Sequence, residues 1–373
     1  MGSLKRMLNL FRYHAAAMAA IHDRKKLQQD PSRKWDFVFK KPAARVILSD
    51  NVIEKEVKLH AGFNIIVILE DVNEPDNVQI ATSLVDRILD TISFSTVAQC
   101  EPPKLLTEIT IKNDGTSEGQ FFEGPDPDSS IIIGTPRAID ENVFKEIWKA
   151  CDGNPNEERI LRALAWFRKA IREQYNIDQF ISLFVAIEVV KPLLRDLLKT
   201  RVKDPDEWEG VIEIFKKKIK TVDFSDINLA RNELLHGFKP LAPEFGSRIS
   251  AYLEPLRRAI IYGLGDILGL SGQITDLICS YRPRRLFLKS QTGLKGHFRN
   301  LPELDVLLKR FPEIEINRKP MSFSIETDGK LNITFDTSQK FTLPEKTVFE
   351  ADTFVMTGSE GAGVDLTGFK FND

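Results

Sequence analysis

Residues 154–199 read NPNEERILRALAWFRKAIREQYNIDQFISLFVAIEVVKPLLRDLLK. Their period predicts two consecutive helices. Asn154 reads as an N-cap, Pro155 as the first helical residue and Glu157 as the far end of a capping box. Ile160, Leu164, Phe167 and Ile171 then make one apolar stripe. The second segment, from Ile177 on, is apolar nearly all round, which predicts a helix at the centre of a bundle. Pro192 is predicted to kink it.

The same period continues downstream. EWEGVIEIFKKKIK (207–220) predicts a short helix, and SDINLARNELLHGF (225–238) another. A long helix is expected over 243–268, where Ile249, Tyr252, Leu253, Leu256, Ile260, Leu264 and Ile267 keep helical spacing. Residues 151–270 therefore read as an all-α bundle of four or five helices.

Upstream the pattern differs. ARVILSD (44–50) alternates and FNIIVILE (63–70) is an apolar run, which predicts two strands joined by a turn. Residues 77–95 switch to helical period through Ile80, Leu84, Ile88 and Ile92. LLTEITIK (105–112) and SSIIIGT (129–135) read as a further strand pair. NDGTSEGQFFEGPDPDSS (113–130) reads as the loop between them. Residues 41–150 thus make a mixed α/β domain. The Ala- and Met-rich residues 1–29 favour helix, so residues 1–40 are expected to be a docking helix or partly ordered arm. A basic arm contacting RNA or membrane is the alternative.

Past Gly272, SFSIETDGKLNITFDT (322–337) is a hairpin pattern about Asp328-Gly329, and KFTLPEKTVFEADTFVMT (340–357) continues it. The Gly-rich stretch 358–369 lacks the GK[ST] of a phosphate loop. The fold class expected is an α+β multidomain chain: an arm at 1–40, mixed α/β at 41–150, a helical bundle at 151–270 and a β-rich region at 271–373.

Composition narrows the function. Over 373 residues, 52 Lys and Arg face 54 Asp and Glu, a net charge of −2 that excludes a generally basic nucleic-acid binder but leaves room for a local basic groove. Cys100, Cys151 and Cys279 form no CxxC pair, so neither a zinc ribbon nor a disulfide framework is expected, and a reducing, cytoplasmic compartment fits. Charged residues interrupt every apolar stretch too early for a membrane-spanning helix. Metalloprotease, hydrolase-elbow and dinucleotide-binding motifs are absent, and no cofactor or metal is expected.

One string carries candidate chemistry: Arg231-Asn232-Glu233-Leu234-Leu235-His236-Gly237. Asn232 and His236 share a helix face. Gly237 and Pro240 stop the helix, so His236 falls in its last turn, where the macrodipole favours imidazolium. An Arg that forks onto phosphate, an Asn and a titratable His suffice to hold a phosphodiester and move its protons. The plain alternative is a C-capping His beside a solvated Arg. Glu188, in the apolar FVAIEVV, either pairs with Arg231 or Asn232 or is a surface carboxylate at the bundle's end. Arg162, Trp166 and Lys169 either border an RNA path or form an ordinary solvated helix face.

The RNELLH string, with WFRKAIREQYNIDQFISLFVAIEVV upstream, resembles the HEPN superfamily, and within it the Apea-like and MauJ-like branch. The resemblance covers about residues 150–270. Arg231, Asn232 and His236 match its R-x4–6-H motif, and Glu188 stands where branch members carry a carboxylate. What this resemblance implies is a metal-independent endoribonuclease, with Arg231, Asn232, His236 and Glu188 as its site. It further implies a homodimer whose two motifs share one cleft, and products with 2′,3′-cyclic phosphate and 5′-hydroxyl ends. An RNA substrate, a regulatory protein or antitoxin, and a toxin or antiphage role come with it. The alternative is a non-catalytic HEPN-like dimerisation or interaction protein.

Overall fold

The computed structural model describes residues 7–21, 34–40, 42–50, 53–55, 58–60, 62–70, 76–111, 113, 117–121, 136–236, 243–284, 290–300, 313–325, 331–342 and 345–358. Two compact units emerge: residues 1–53 with 60–286, and residues 54–59 with 287–373.

The chain opens with strands β1 (Leu8–Ala16), β2 (Ala19–Ala20), β3 (Lys34–Lys40), β4 (Ala43–Asp50), β5 (Ile53–Lys55), β6 (Lys58–His60) and β7 (Gly62–Glu70), of which β5 and β6 pair with each other and, except for Ile53 and His60, belong to the second unit. Helix α1 (Asn77–Thr96) follows, then β8 (Lys104–Ile111), β9 (Ser117–Phe121) and β10 (Arg137–Ala138). Six of these strands form one antiparallel sheet in the order β3-β4-β7-β1-β8-β9. The predicted pair at 44–50 and 63–70 is therefore present as β4 and β7, with Val46 opposite Val67.

The expected N-terminal helix is overturned. Leu8–Ala16 is an inner strand, paired with β7 on one side and β8 on the other. Phe11, Tyr13 and Ala15 all point into the core. Alanine prefers helix by only a fraction of a kcal/mol per residue, and two flanking strands with a buried face outweigh that. The close approach also rewards small side chains: a Cβ on Gly62 would lie 2.5 Å from the Ala15 carbonyl oxygen. A second correction is β9, which lies inside the stretch read as loop. The predicted strand at 129–135, the Asp328-Gly329 turn and the Gly-rich stretch lie outside the described residues.

The sheet buries one face against α1. Phe63, Ile65, Val67 and Leu69 of β7 meet Leu84, Val85, Ile88 and Leu89 in one core. Helix α2 (Glu141–Cys151) adds an aromatic cluster in which Phe144 and Trp148 pack on Trp35 and Phe37. The far side of α1 belongs to a second core, through Phe94 and Val97. Helix α1 is thus the shared layer between sheet and bundle, which is why every residue of its last two turns is buried.

The bundle comprises α3 (Glu157–Arg172), α4 (Asn176–Lys199), α5 (Glu209–Ile214), α6 (Phe224–His236) and α7 (Pro243–Leu268), and α8 (Gly272–Ser280) closes the unit. No strand falls in residues 154–269 among those described. Helix α4 packs against α3 and α7, as its apolar circumference demands. It continues through Pro192 as a single helix. The start of α3 is corrected: Asn156 is the N-cap, Asn154 Oδ1 accepts instead from the Asn156 amide at 2.9 Å, and Glu157 pairs with Arg87. Helix α8 likewise falls in a region expected to be β-rich. Its N-cap is Ser271, whose hydroxyl accepts from the Ile274 amide.

In the second unit, β11 (Ser290–Arg299) pairs antiparallel with β14 (Val348–Gly358), and β12 (Glu313–Ile325) with β13 (Leu331–Thr342). The predicted hairpin is present in the β12–β13 register, which places Ile325 opposite Leu331.

Where α1 meets α3, Arg168 reaches both Asp86, at 2.6 Å, and the buried Asp90, at 3.1 Å. Burial pushes the Asp90 carboxyl up to about 7, outweighing the opposing pull of Arg168. The folded protein then holds this proton more tightly than the unfolded chain, where Asp titrates near about 4. The group's contribution to stability is full below about pH 4 and is lost as the pH rises through about 7. We expect Asp90→Asn to flatten the decline in stability between pH 5 and pH 7.5, read by urea unfolding at each pH. An unchanged pH profile would show that Asp90 stays ionised against Arg168.

Candidate functional site

Helix α6 presents the candidate motif. It begins at an Asp223 turn, where the side chain accepts from the Ser225 amide at 3.0 Å. Phe224, Ile227 and Ala230 anchor one side of α6 in the bundle core. Arg231 lies beside that stripe, and its Nη2 donates to Glu188 Oε1 at 2.9 Å. Its Nη1 donates to Asn232 Oδ1 at 3.0 Å. Of the two readings of Glu188, the structure shows the paired one.

Arg231 is held from below as well. Its guanidinium lies 5.4 Å from the centre of the Phe184 ring. Phe184 and Glu188 are one turn apart on α4, so a single helix face offers Arg231 both an aromatic surface and a carboxylate. Phe184 is itself fixed by a cluster: Trp208 at 5.8 Å, Phe224 stacked at 6.3 Å and, beyond it, Phe215. The Lys191 ammonium caps this cluster 4.1 Å above Trp208 and pairs with Glu207. An arginine side chain has many rotamers, and these contacts select one.

Pro192 lies one turn past Glu188 on α4. It has no N–H to donate to the Glu188 carbonyl, so the helix ladder is locally broken at the residue that binds Arg231. Through the two Arg231 hydrogen bonds, Glu188, Arg231 and Asn232 meet at one place on the bundle. His236 is the last residue of α6, four positions past Asn232. Its side chain, Gly237 and Pro240 lie outside the described residues.

Two neighbours are not evident from the sequence. Glu233, buried next to the motif, pairs with Arg248 of α7, and the Arg248 guanidinium sits 5.0 Å over Phe245. This second ion pair ties α6 to α7 as Glu188 ties it to α4. Glu233 does give a signal, as a carboxylate inside the motif string, but its partner is fifteen residues away and set by packing. Arg162, Trp166 and Lys169 lie on α3, where Lys169 is 4.6 Å over a half-buried Trp166 and Arg162 is exposed.

The arrangement offers a fixed guanidinium with remaining N–H donors, an amide beside it and a carboxylate behind it. A guanidinium pre-oriented in this way suits a tetrahedral oxyanion. Among the described residues no group of three or more His, Cys, Asp or Glu side chains is placed to hold a metal ion. No described helix is long and apolar enough to cross a membrane. Comparison with protein-family models, curated proteins and solved structures gives no match.

Proposed function

We propose that the chain is a HEPN-type endoribonuclease that works without a metal. The observation that carries this reading is the hydrogen bond from Arg231 to Glu188, joined by Asn232, which gathers three of the four motif residues at one point. In the reaction, a base removes the proton of an RNA 2′-OH. The O2′–P bond forms, the P–O5′ bond breaks, and the leaving O5′ takes a proton from an acid. The products are a 2′,3′-cyclic phosphate and a 5′-hydroxyl. His236 supplies the proton transfers, Arg231 neutralises the charge on the phosphorane oxygens, and Glu188 and Asn232 orient Arg231. A role as toxin or antiphage effector, restrained by a regulatory protein, follows from the same resemblance.

One such set offers a single histidine for two proton transfers. A two-fold pairing through α6 brings a second. What supports this pairing is that α6 carries two large apolar residues in the open, Leu229 at 55% and Leu235 at 52% exposure. We expect a homodimer in light scattering that becomes monomeric on Leu229→Lys with Leu235→Lys. A strict monomer at high concentration would remove the composite site. The same two leucines favour the second reading, a non-catalytic HEPN-like dimerisation protein. Incubating the purified protein with structured RNAs in EDTA separates the two. Cleavage with cyclic-phosphate ends supports the nuclease, and intact RNA supports the interaction module.

A further inference from the structure

The six-stranded sheet has a second face. Residues 65–69 of β7, Ile-Ile-Val-Ile-Leu, are apolar without alternation, the pattern of a strand covered on both sides. Helix α1 covers the face that holds Ile65, Val67 and Leu69. Ile66 and Ile68 stand on the other. The register carries that face across the sheet: Ile66 lies between Ile47 of β4 and Arg12 of β1, and Ile68 between Arg45 and Leu10. Leu10 in turn lies opposite Ile109 of β8, and Arg45 opposite Val38 of β3. Ile66, Ile109 and Val38 are 38%, 36% and 78% exposed. An aliphatic stripe therefore crosses the open face of the sheet.

Its frame is cationic. Lys34 and Lys40 stand at the two ends of β3, Lys104 lies opposite His14, and Arg12 sits beside Ile66. All four are exposed, and none forms an ion pair among the described residues. The carboxylates on this face among the described residues are Glu70 and Asp36, and Asp36 accepts from Arg45 Nε at 2.8 Å. Positive charge is thus in excess here, on a chain whose net charge is −2.

Backbone pairing limits the form of a partner. Strands β4, β7, β1 and β8 each have a neighbour on both sides, so their N–H and C=O groups are used within the sheet. Whatever lies over the stripe meets side chains, and an amphipathic helix supplies one continuous apolar side for them. Strands about 4.8 Å apart and residues about 3.3 Å apart give the four inner strands a face of roughly 20 by 26 Å, which one helix of about five turns spans. The stripe holds no aromatic ring on which a base stacks, so the excess cations suit carboxylates better than nucleic acid.

We propose that this outer sheet face is the docking surface for a protein partner that presents an acidic amphipathic helix. The helix lays its apolar side on Leu10, Ile47, Ile66, Ile68 and Ile109, and its flanking carboxylates meet the cations of the frame. The surface is independent of Arg231 and of the nuclease reading.

The test uses the full chain and a synthetic probe, a labelled helical peptide about five turns long with leucines along one side and glutamates on both flanks. The control peptide carries lysines in place of the glutamates. Fluorescence anisotropy should show the wild type binding the glutamate peptide at least about tenfold more tightly than the control, with an affinity that falls as salt rises. Ile66→Thr with Ile109→Thr keeps the strand preference at both positions and should weaken binding about tenfold. Arg12→Glu with Lys104→Glu leaves the stripe untouched and should invert the preference between the two peptides. Light scattering should give both variants the mass of the wild type. A mass that falls with the two threonine substitutions would mean that the face pairs two copies of this chain, and would overturn the proposal. Absence of binding, equal binding of the two peptides, or binding that survives both pairs of substitutions overturns it as well.

Discussion

His236→Ala and Arg231→Ala should each abolish RNA cleavage, measured as cyclic-phosphate product in EDTA. Loss of a general acid or base costs about 10²–10⁴-fold, and loss of a preorganised charge clamp about 10²–10³-fold. The two variants should differ in stability. His236 ends a helix, and its removal should cost little. Arg231 covers Phe184 and satisfies Glu188, so its truncation leaves a half-buried carboxylate without its guanidinium, at about 1–3 kcal/mol. Arg231→Lys separates charge from shape: it keeps the cation and loses the fork, so folding should recover further than activity. The rate should fall at acidic pH as the base form of histidine is lost. Alanine variants that cleave like the wild type would reduce the motif to a helix cap and leave the interaction module standing.

Phe167→Ala should weaken the fold severely. Phe167 on α3 is fully buried and meets Phe94 of α1 edge to face at 5.4 Å. The pair joins the helix that carries the sheet to the bundle. Removing a buried phenylalanine costs about 3–5 kcal/mol, a large share of the roughly 5–15 kcal/mol that stabilises a domain. Urea unfolding should show the midpoint fall with the transition still single, because α1 belongs to both cores. A cost below about 1 kcal/mol, or a split transition, would mean that sheet and bundle are not coupled through this contact.

The motif residues illustrate how far a linear reading reaches. Arg231 and Asn232 are adjacent, so their meeting is local. Glu188 is 43 residues from Arg231; a carboxylate in an apolar helix makes pairing with Arg231 or Asn232 one of two readings, and packing selects the pair with Arg231. Arg248 has no such signal. An arginine on the polar side of a long helix is ordinary until packing brings Glu233 against it.

Periodicity alone determined the helices of residues 154–269, the central position of α4 and the strands at 44–50 and 63–70, because each buries a face that its own side chains define. The N-terminal strand was decided by tertiary structure. LNLFRYHAA carries residues that suit a helix, and it extends because β7 and β8 offer it hydrogen-bond partners on both edges and α1 covers its inner face. Local preference is worth tenths of a kcal/mol per residue, whereas a paired and buried strand gains several times that from neighbours distant in sequence.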